Sequence, residues 1–327
     1  MPRAINYMKH IQNLMSKLRL KNRLFCLFQK TTNTIFFFCS NKDKIIILNV
    51  SMTTFGQNVN HNNIGDDLNF YLIQKLIEKN GEHLKIFNYC DIFHWGNTIN
   101  KKKNYMCIGS IIDWMTNSNS VIWGSGVRDN SHKLQTYPYK VTAVRGPLTR
   151  NYLLSQGIDC PPIYGDPALL LPLFYKPKNT TKRFKIGIIL HKNDINNISI
   201  KKFSHTNPDV TIIKIRKYKH WKDVIDQICQ CEIIISSSLH GLILADAYAI
   251  PNTWIKFSEK TFDGSFKYLD YFASVKRTTK APIIISTQTL DINFLMKETK
   301  RNYLPISFNS TPLLKYKMLT YGSEQHC

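Results

Sequence analysis

Residue types suited to handling a small anion gather between Trp221 and Pro251. Trp221, Val224, Ile225, Ile228 and Cys229 repeat at helical spacing, whereas Glu232 to Ile235 is too short for another helix and reads as a buried strand. Ser236, Ser237 and Ser238 follow. Leu239-His240-Gly241 then opens a second apolar segment, Leu242 to Ile250, that Pro251 stops. A strand feeding a hydroxyl-rich turn into a helix start aims free backbone N–H groups and the positive end of the helix dipole at one spot. Such a spot binds phosphate or carboxylate. His240 falls in the first turn, which puts an imidazole able to give or take a proton beside the anion. Serines that only cap a helix, next to a structural histidine, would produce the same string, so the other candidates matter.

Three more turns bring chemistry to strand ends. Val121-Ile122-Trp123 runs into Gly124-Ser125-Gly126-Val127-Arg128, where glycines permit close approach of backbone to a ligand. Val141 to Val144 reads as a strand, Arg145-Gly146 as a turn and Pro147 as the first residue of a helix over Leu148 to Ser155, with Gly157 as its stop. Arg145 therefore stands at a strand end beside a helix N-terminus, fit for an anion or for a surface ion pair. Gly165-Asp166-Pro167-Ala168 leaves a carboxylate near the same edge. Earlier, Asp66 or Asp67 suits the N-cap of a helix carrying Leu68, Tyr71, Leu72 and Leu76, which Asn80-Gly81 closes.

The elements that must position these residues alternate in type. Lys44 to Val50, Lys85 to Tyr89, Tyr105 to Gly109 and Ser120 to Trp123 are short apolar runs separated by helical or loop segments, the rhythm of a parallel sheet with crossover helices. A Lys/Pro/Asn/Thr-rich stretch between Leu173 and Arg183 marks a boundary. Beyond it, strands are expected at Phe184 to Leu190, with His191 at the end, at Val210 to Ile215 and at Thr253 to Phe257. An aromatic segment, Gly264 to Ser274, carries Asp270 and follows Asp263. The expected fold is α/β, two Rossmann-like lobes over 44–175 and 183–277 facing a cleft. Arg145, Asp166 and His240 are expected to face it. Residues 278–327 form a C-terminal tail, and residues 1–43 a basic extension without fixed structure.

The chain of 327 residues carries 44 Lys plus Arg against 22 Asp plus Glu, a net charge of +22. That balance suits a polyanion, an anionic membrane surface or an anionic small substrate. No acidic residue precedes Asp43, while eight basic ones do, so a peripheral membrane contact through the N-terminal arm is compatible with the charge. The basic and aromatic run Arg216 to Trp221 could stack bases. No nucleic-acid-reading motif accompanies it, and nucleic acid is not the expected partner. The eight cysteines show no metal-ligand spacing, so no metal site is expected, and several in apolar surroundings suit a reducing compartment such as the cytoplasm. No uninterrupted apolar stretch is long enough to span a membrane, because Gln29 to Thr34 separates Leu24–Phe28 from Ile35–Cys39.

Taken together, five pieces resemble the polysaccharide pyruvyl transferases: Asn63-Ile64-Gly65-Asp66-Asp67-Leu68-Asn69, Trp123-Gly124-Ser125-Gly126, Val144-Arg145-Gly146-Pro147-Leu148-Thr149-Arg150, Tyr164-Gly165-Asp166-Pro167-Ala168 and Ile235-Ser236-Ser237-Ser238-Leu239-His240-Gly241-Leu242. Lys267 to Phe272 is similar to the exopolysaccharide branch. The resemblance implies a GT-B-like pair of lobes, phosphoenolpyruvate as donor with no cofactor, and a cyclic pyruvate ketal built on two hydroxyls of a sugar or polysaccharide acceptor. It makes His240 the general acid, with Asp66 or Asp166 receiving a proton from the attacking hydroxyl. Substrate contacts are expected from Arg145, Ser236, Ser237, Ser238, Gly124, Ser125, Gly126, Asn63, Gly65 and Arg128. Several relatives have an arginine directly before the Leu-His pair, where this chain has Ser238; Arg128, Arg150 or Lys256 is expected to stand in. A GT-B-type glycosyltransferase using a nucleotide sugar is the alternative on the same fold, and a nucleic-acid or membrane-surface binder the alternative of another class.

Overall fold

The computed structural model describes residues 24–55, 58–60, 63–94, 102–257, 265–286 and 289–315, and in it residues 24–39 are helical, α1. This part of the expected N-terminal extension is thus structured, while residues 1–23 lie outside the described residues. Phe37 is the anchor of α1, buried with its ring 5.4 Å from that of Phe87. Strand β1, Ile45–Leu48, buries all four of its side chains, as a strand covered on both faces does. A hairpin of β2, Thr53–Phe55, and β3, Asn58–Asn60, follows.

Helix α2, Ile64–Lys79, buries Ile64, Leu68, Leu72, Leu76 and Ile77. Its N-cap position is Asn63, so Asp66 and Asp67 sit inside the first turn rather than at the cap, where their charge still complements the helix dipole. Gly81, at φ 72°, makes the left-handed exit that the Asn80-Gly81 pair suggests. The sheet continues with β4, Lys85–Asn88, and β5, Asn104–Met106; after a one-turn helix α3, Ile112–Met115, come β6, Ser120–Trp123, and β7, Lys140–Ala143. Helix α4, Pro147–Leu154, has Pro147 at its start as expected. All pairings in this sheet are parallel and the order is β4-β1-β5-β6-β7.

A 3-10 segment, Pro167–Leu173, leads to the second sheet. Its elements are β8 (Phe184–Ile189), α5 (Ile198–Thr206), β9 (Val210–Ile212), α6 (Trp221–Cys229), β10 (Cys231–Ser236), α7 (Leu239–Ala247), β11 (Asn252–Lys256), α8 (Ser265–Ser274) and β12 (Ile283–Ile284). These strands are also all parallel, in the order β12-β11-β10-β8-β9. Numbered within its own sheet, each set runs 2-1-3-4-5, the doubly wound order with its switch point beside the first strand, rather than the 3-2-1-4-5-6 of a dinucleotide-binding sheet.

The chain then returns. Helix α9, Ile292–Asn302, packs on β8, β10 and β11, and α10, Ser310–Lys315, reaches the first sheet, where the Trp123 indole donates to the Leu313 carbonyl at 3.0 Å. The region after residue 277 therefore completes the second sheet and ties it to the first. One hydrophobic cluster runs from α2 and β5–β7 through Leu169–Leu171 to α6 and α7. Asp263, Gly264 and residues 316–327 lie outside the described residues.

Candidate active site

Doubly wound sheets bind ligands at the carboxyl ends of their strands, beside the switch point. Here the segments leaving both switch points meet around one cavity of about 830 Å³. From the first sheet come Val50 and Ser51 after β1 and Ser110 and Ile111 after β5; from the second come His191 and Lys192 after β8 and Ser238, Leu239 and His240 after β10. Asn63 and Asp66, at the start of α2, and Arg216, after β9, complete the wall. The Ile64 N–H donates to the Ile215 carbonyl at 2.9 Å, so the two sides are hydrogen-bonded beside the site.

The register of the second sheet explains how the serine turn is aimed. Ser236 lies opposite Ile189 on one side and Trp254 on the other, so β8 and β10 end side by side. The Ser236 hydroxyl is fully buried, accepts from the Ser238 N–H at 3.0 Å and lies 2.8 Å from the Ser238 carbonyl. Ser237 accepts from the His191 N–H at 2.9 Å and donates to Asp194 at 2.7 Å. These two hydroxyls therefore brace the turn. Only Ser238 of the three lines the cavity, with no capping bond from its side chain. Beside it, the first-turn N–H groups of Leu239 and His240 have no carbonyl of their own helix to bond.

His240 is half-buried on the wall, and Gly65 makes its position possible. A Cβ at Gly65 would stand 1.9 Å from the imidazole Nδ1. Gly65, expected to touch substrate, instead makes room for the imidazole. Burial, and then the positive charges of Lys267, Arg145 and His191, push the His240 pKa down to about 3, so the ring is neutral at pH 7 without an anion present. Asp66 shares the cavity. Its carboxylate accepts from the Asn63 amide at 2.7 Å, and burial raises its pKa to about 6 against the opposing effects of Asn63, Arg216 and Lys192. Behind it, Asp67 is fully buried, accepts from the Tyr218 hydroxyl at 2.7 Å and is pushed up to about 7, again chiefly by burial.

Other expected residues stand elsewhere. Arg145 is completely buried: its Nε and Nη2 lie 2.9 Å from the Asp270 carboxylate, Nη1 donates to the Ser110 hydroxyl at 2.5 Å and Nη2 to the Val127 carbonyl at 2.7 Å. Its guanidinium is spent on an ion pair that joins the end of β7 to α8, and it lines no part of the cavity. The Gly124–Gly126 turn is likewise internal. A Cβ at Gly124, whose φ is 94°, would meet Pro167 at 2.4 Å, and one at Gly126 would meet the Arg145 guanidinium at 2.2 Å. The close approach that these glycines allow is to the protein itself. Ser125 between them is fully buried and its hydroxyl has no partner among the described residues. Asp166 caps the 3-10 segment by accepting from the Ala168 N–H at 2.9 Å and is buried away from the cavity, with its pKa raised by that burial to about 6.

Of the three candidates to replace the arginine before Leu-His, Arg128 is on the wall, next to Asp113 at 3.2 Å. Arg150 instead donates to the Cys160 carbonyl, and Lys256 lies outside this cavity. Three further cations stand on the wall: Lys192 and Arg216, which belong to none of the family-like pieces, and Lys267, which opens the Lys267–Phe272 piece but was not expected to touch substrate. Position just past a strand end was the available signal for Lys192 and Arg216. The aromatic residues of the basic run are also accounted for. Trp221 is buried, its ring 5.1 Å from that of Tyr175, and Tyr218 bonds Asp67, which leaves neither ring presented for stacking on bases. Among the described residues, no helix is long and apolar enough to cross a membrane.

Residues 63–258 match the family model of the polysaccharide pyruvyl transferases, more than half of the chain, and include Asn63, Asp66, Arg128, Lys192, Arg216, Ser238 and His240 of the site. The chain belongs to this family. Among relatives, it is 29% identical over 214 residues to uncharacterized protein L143 of Acanthamoeba polyphaga mimivirus, covering 64% of this chain and 70% of the viral protein. A shorter stretch of 50 residues is 46% identical to the succinoglycan biosynthesis protein ExoV of Rhizobium meliloti (strain 1021), 15% of either chain. A solved structure, that of protein KP1_0663 from Klebsiella pneumoniae subsp. pneumoniae NTUH-K2044, aligns with a TM-score of 0.44 at 13% identity over 82% of this chain and 98% of that one. The family match ends before Lys267 and Asp270, so the helix that supplies a wall cation and the partner of Arg145 lies beyond it.

Proposed function

We propose that this member of the pyruvyl transferase family moves pyruvate from phosphoenolpyruvate onto two hydroxyls of a sugar, in a GT-B-like cleft between its two sheets. The observation that carries the proposal is the convergence on one cavity of His240, Asp66 and four cationic side chains, Arg128, Lys192, Arg216 and Lys267. Ser238 and the N–H groups of Leu239 and His240 suit one anionic end of the donor, and the cations the other.

In the proposed reaction, His240 delivers a proton to the methylene carbon of the donor, and the adjacent carbon becomes electrophilic. The first sugar hydroxyl adds there and gives its proton to Asp66, which is ionised at neutral pH with a pKa near enough to 7 to exchange protons efficiently. The bond from carbon to the phosphate oxygen then breaks, phosphate leaves with the electron pair and takes the proton held by Asp66, and the second hydroxyl closes the ketal as it returns a proton to His240. One hydroxyl proton thus replaces the one given to the methyl group and the other departs with phosphate. His240 acquires its first proton through donor binding: burial, and then repulsion from Lys267, Arg145 and His191, hold the free imidazole neutral, and the bound anion opposes both by stabilising the imidazolium. Trp114, half-exposed on the same wall, offers an aromatic face to the acceptor sugar.

The test is incubation of the purified protein with phosphoenolpyruvate and a panel of glycosides, with masses and free phosphate measured. A glycoside gaining one pyruvate ketal per phosphate released, and no gain with His240→Ala, supports the proposal. Release of a nucleoside diphosphate from a nucleotide sugar, without ketal formation, replaces it with glycosyl transfer.

A further inference from the structure

Helix α1 is built the wrong way round for a helix that only covers a sheet. At about 100° per residue, Gln29, Asn33, Thr34 and Phe37 share the side turned to the protein, and all four are buried. The polar members of that side are satisfied there: the Asn33 amide donates to the Thr54 carbonyl at 2.8 Å, and the Thr34 hydroxyl accepts from the Phe93 N–H at 2.8 Å. The opposite half of the circumference carries Leu24, Phe25, Leu27 and Phe28 near one end and Ile35, Phe36 and Phe38 near the other. Each of these is between 42 and 59% exposed. Seven large apolar side chains on one outward face exceed what scattered surface residues explain, and exposed apolar area of that extent marks an interaction surface. Among the described residues, Phe37 packs against β4 through Phe87.

The charge of the flanking sequence selects its partner. Through residue 42 the chain carries eight Lys and Arg and no Asp or Glu, and Lys30 and Lys42 belong to α1 and its exit. An apolar helix face in a stretch of sequence that is basic and free of acidic residues is the composition of a segment that lies in the plane of a bilayer whose headgroups are anionic. We infer that the outward face of α1 inserts into the interface of an anionic membrane and seats the protein there as a peripheral protein. This differs from a contact by the basic arm alone: the apolar face supplies the insertion, and the charges steer it and add to it. The inference does not depend on the proposed reaction.

Flotation of the full-length chain with vesicles tests it, comparing phosphatidylcholine alone with phosphatidylcholine containing phosphatidylglycerol. Binding is expected only with the anionic vesicles, weakened by high salt, and reduced on the order of tenfold or more in a Phe25→Ser/Phe28→Ser/Phe36→Ser variant. The substituted side chains all point outward, so the variant should keep its circular dichroism and melting temperature. Should it unfold, Phe28→Trp serves instead, with quenching of its added fluorescence by lipids brominated on the acyl chain. Three results overturn the inference: no vesicle binding by the full chain, binding that the triple variant retains in full, or a dimer by light scattering that the triple variant dissolves. The last would assign the face to a second copy of the chain.

Discussion

Replacing Gly65 by alanine isolates the position of the His240 ring from everything else in the site. The added methyl would stand 1.9 Å from Nδ1 and 2.2 Å from both Cγ and Cε1, whereas ordinary contact begins at 3.4 Å. The ring must retreat by about 1.5 Å, the gap between those limits. It can do so, because an imidazole is the mobile end of its side chain, and the strain of leaving its rotamer is about 0.5–1.5 kcal/mol. Gly65 is helical and has no positive φ, so alanine also gains about 0.5–1 kcal/mol of helix propensity. These two effects offset one another, and the melting temperature should stay within a few degrees of the parent. Activity should not survive as well, since a misplacement of about 1 Å at a reacting group can cost about a hundredfold. The assay is the initial rate of phosphate release from phosphoenolpyruvate with a glycoside acceptor, run beside thermal unfolding of the same preparations. A Gly65→Ala protein that is folded and about a hundredfold slower supports the placement of His240 as the proton carrier. Turnover within about threefold of the parent would refute it, because a ring displaced that far could not still reach the same carbon.

Arg145→Ala should act on stability rather than on donor affinity: removing one partner of a buried pair strands Asp270 and costs about 3–5 kcal/mol in urea unfolding; unchanged stability with a raised donor KM would return Arg145 to the substrate. Asp67 holds a proton more tightly folded than unfolded, so its contribution to stability falls as pH rises from its ordinary 3.8 and levels off above about 7. Asp67→Asn should therefore gain on the parent by about 2–3 kcal/mol between pH 5 and pH 8, and parallel pH profiles for the two proteins would contradict this. Trp114→Ala should raise the acceptor KM severalfold and leave the donor KM alone, and an unchanged acceptor KM removes the stacking role.

Periodicity and turn chemistry located the strands that matter because each is short, apolar and bounded by residues with special backbone demands. The strand, turn and helix around Ser236–His240 were legible for that reason, as was α2. What spacing could not reveal was which side of a turn faces solvent. Gly124 and Gly126 signal close approach equally well whether the neighbour is a ligand or, as here, Pro167 and the Arg145 guanidinium. Arg145 at a strand end looks like an anion clamp until its partner Asp270 is known, and that partner is 125 residues away in the chain. Lys192 and Lys267 were missed because a flexible cation needs no particular neighbours to reach a cavity. In sequence the polar run Gln29–Thr34 reads as an interruption between apolar segments; in α1 it supplies much of the inward face, and the apolar residues around it are the ones left outside.

Both sheets place their switch points at the same cavity, and the mechanism asks one thing of that arrangement: that solvent-derived hydrogen, carried by His240, ends on the methylene carbon of the donor. Running the reaction in deuterium oxide and examining the ketal by mass spectrometry and proton NMR tests this directly. The expected product carries one deuterium in its methyl group, formed at a rate that His240→Ala suppresses. A ketal whose methyl group holds only protium, or no ketal from any glycoside offered, would contradict the assignment of this site.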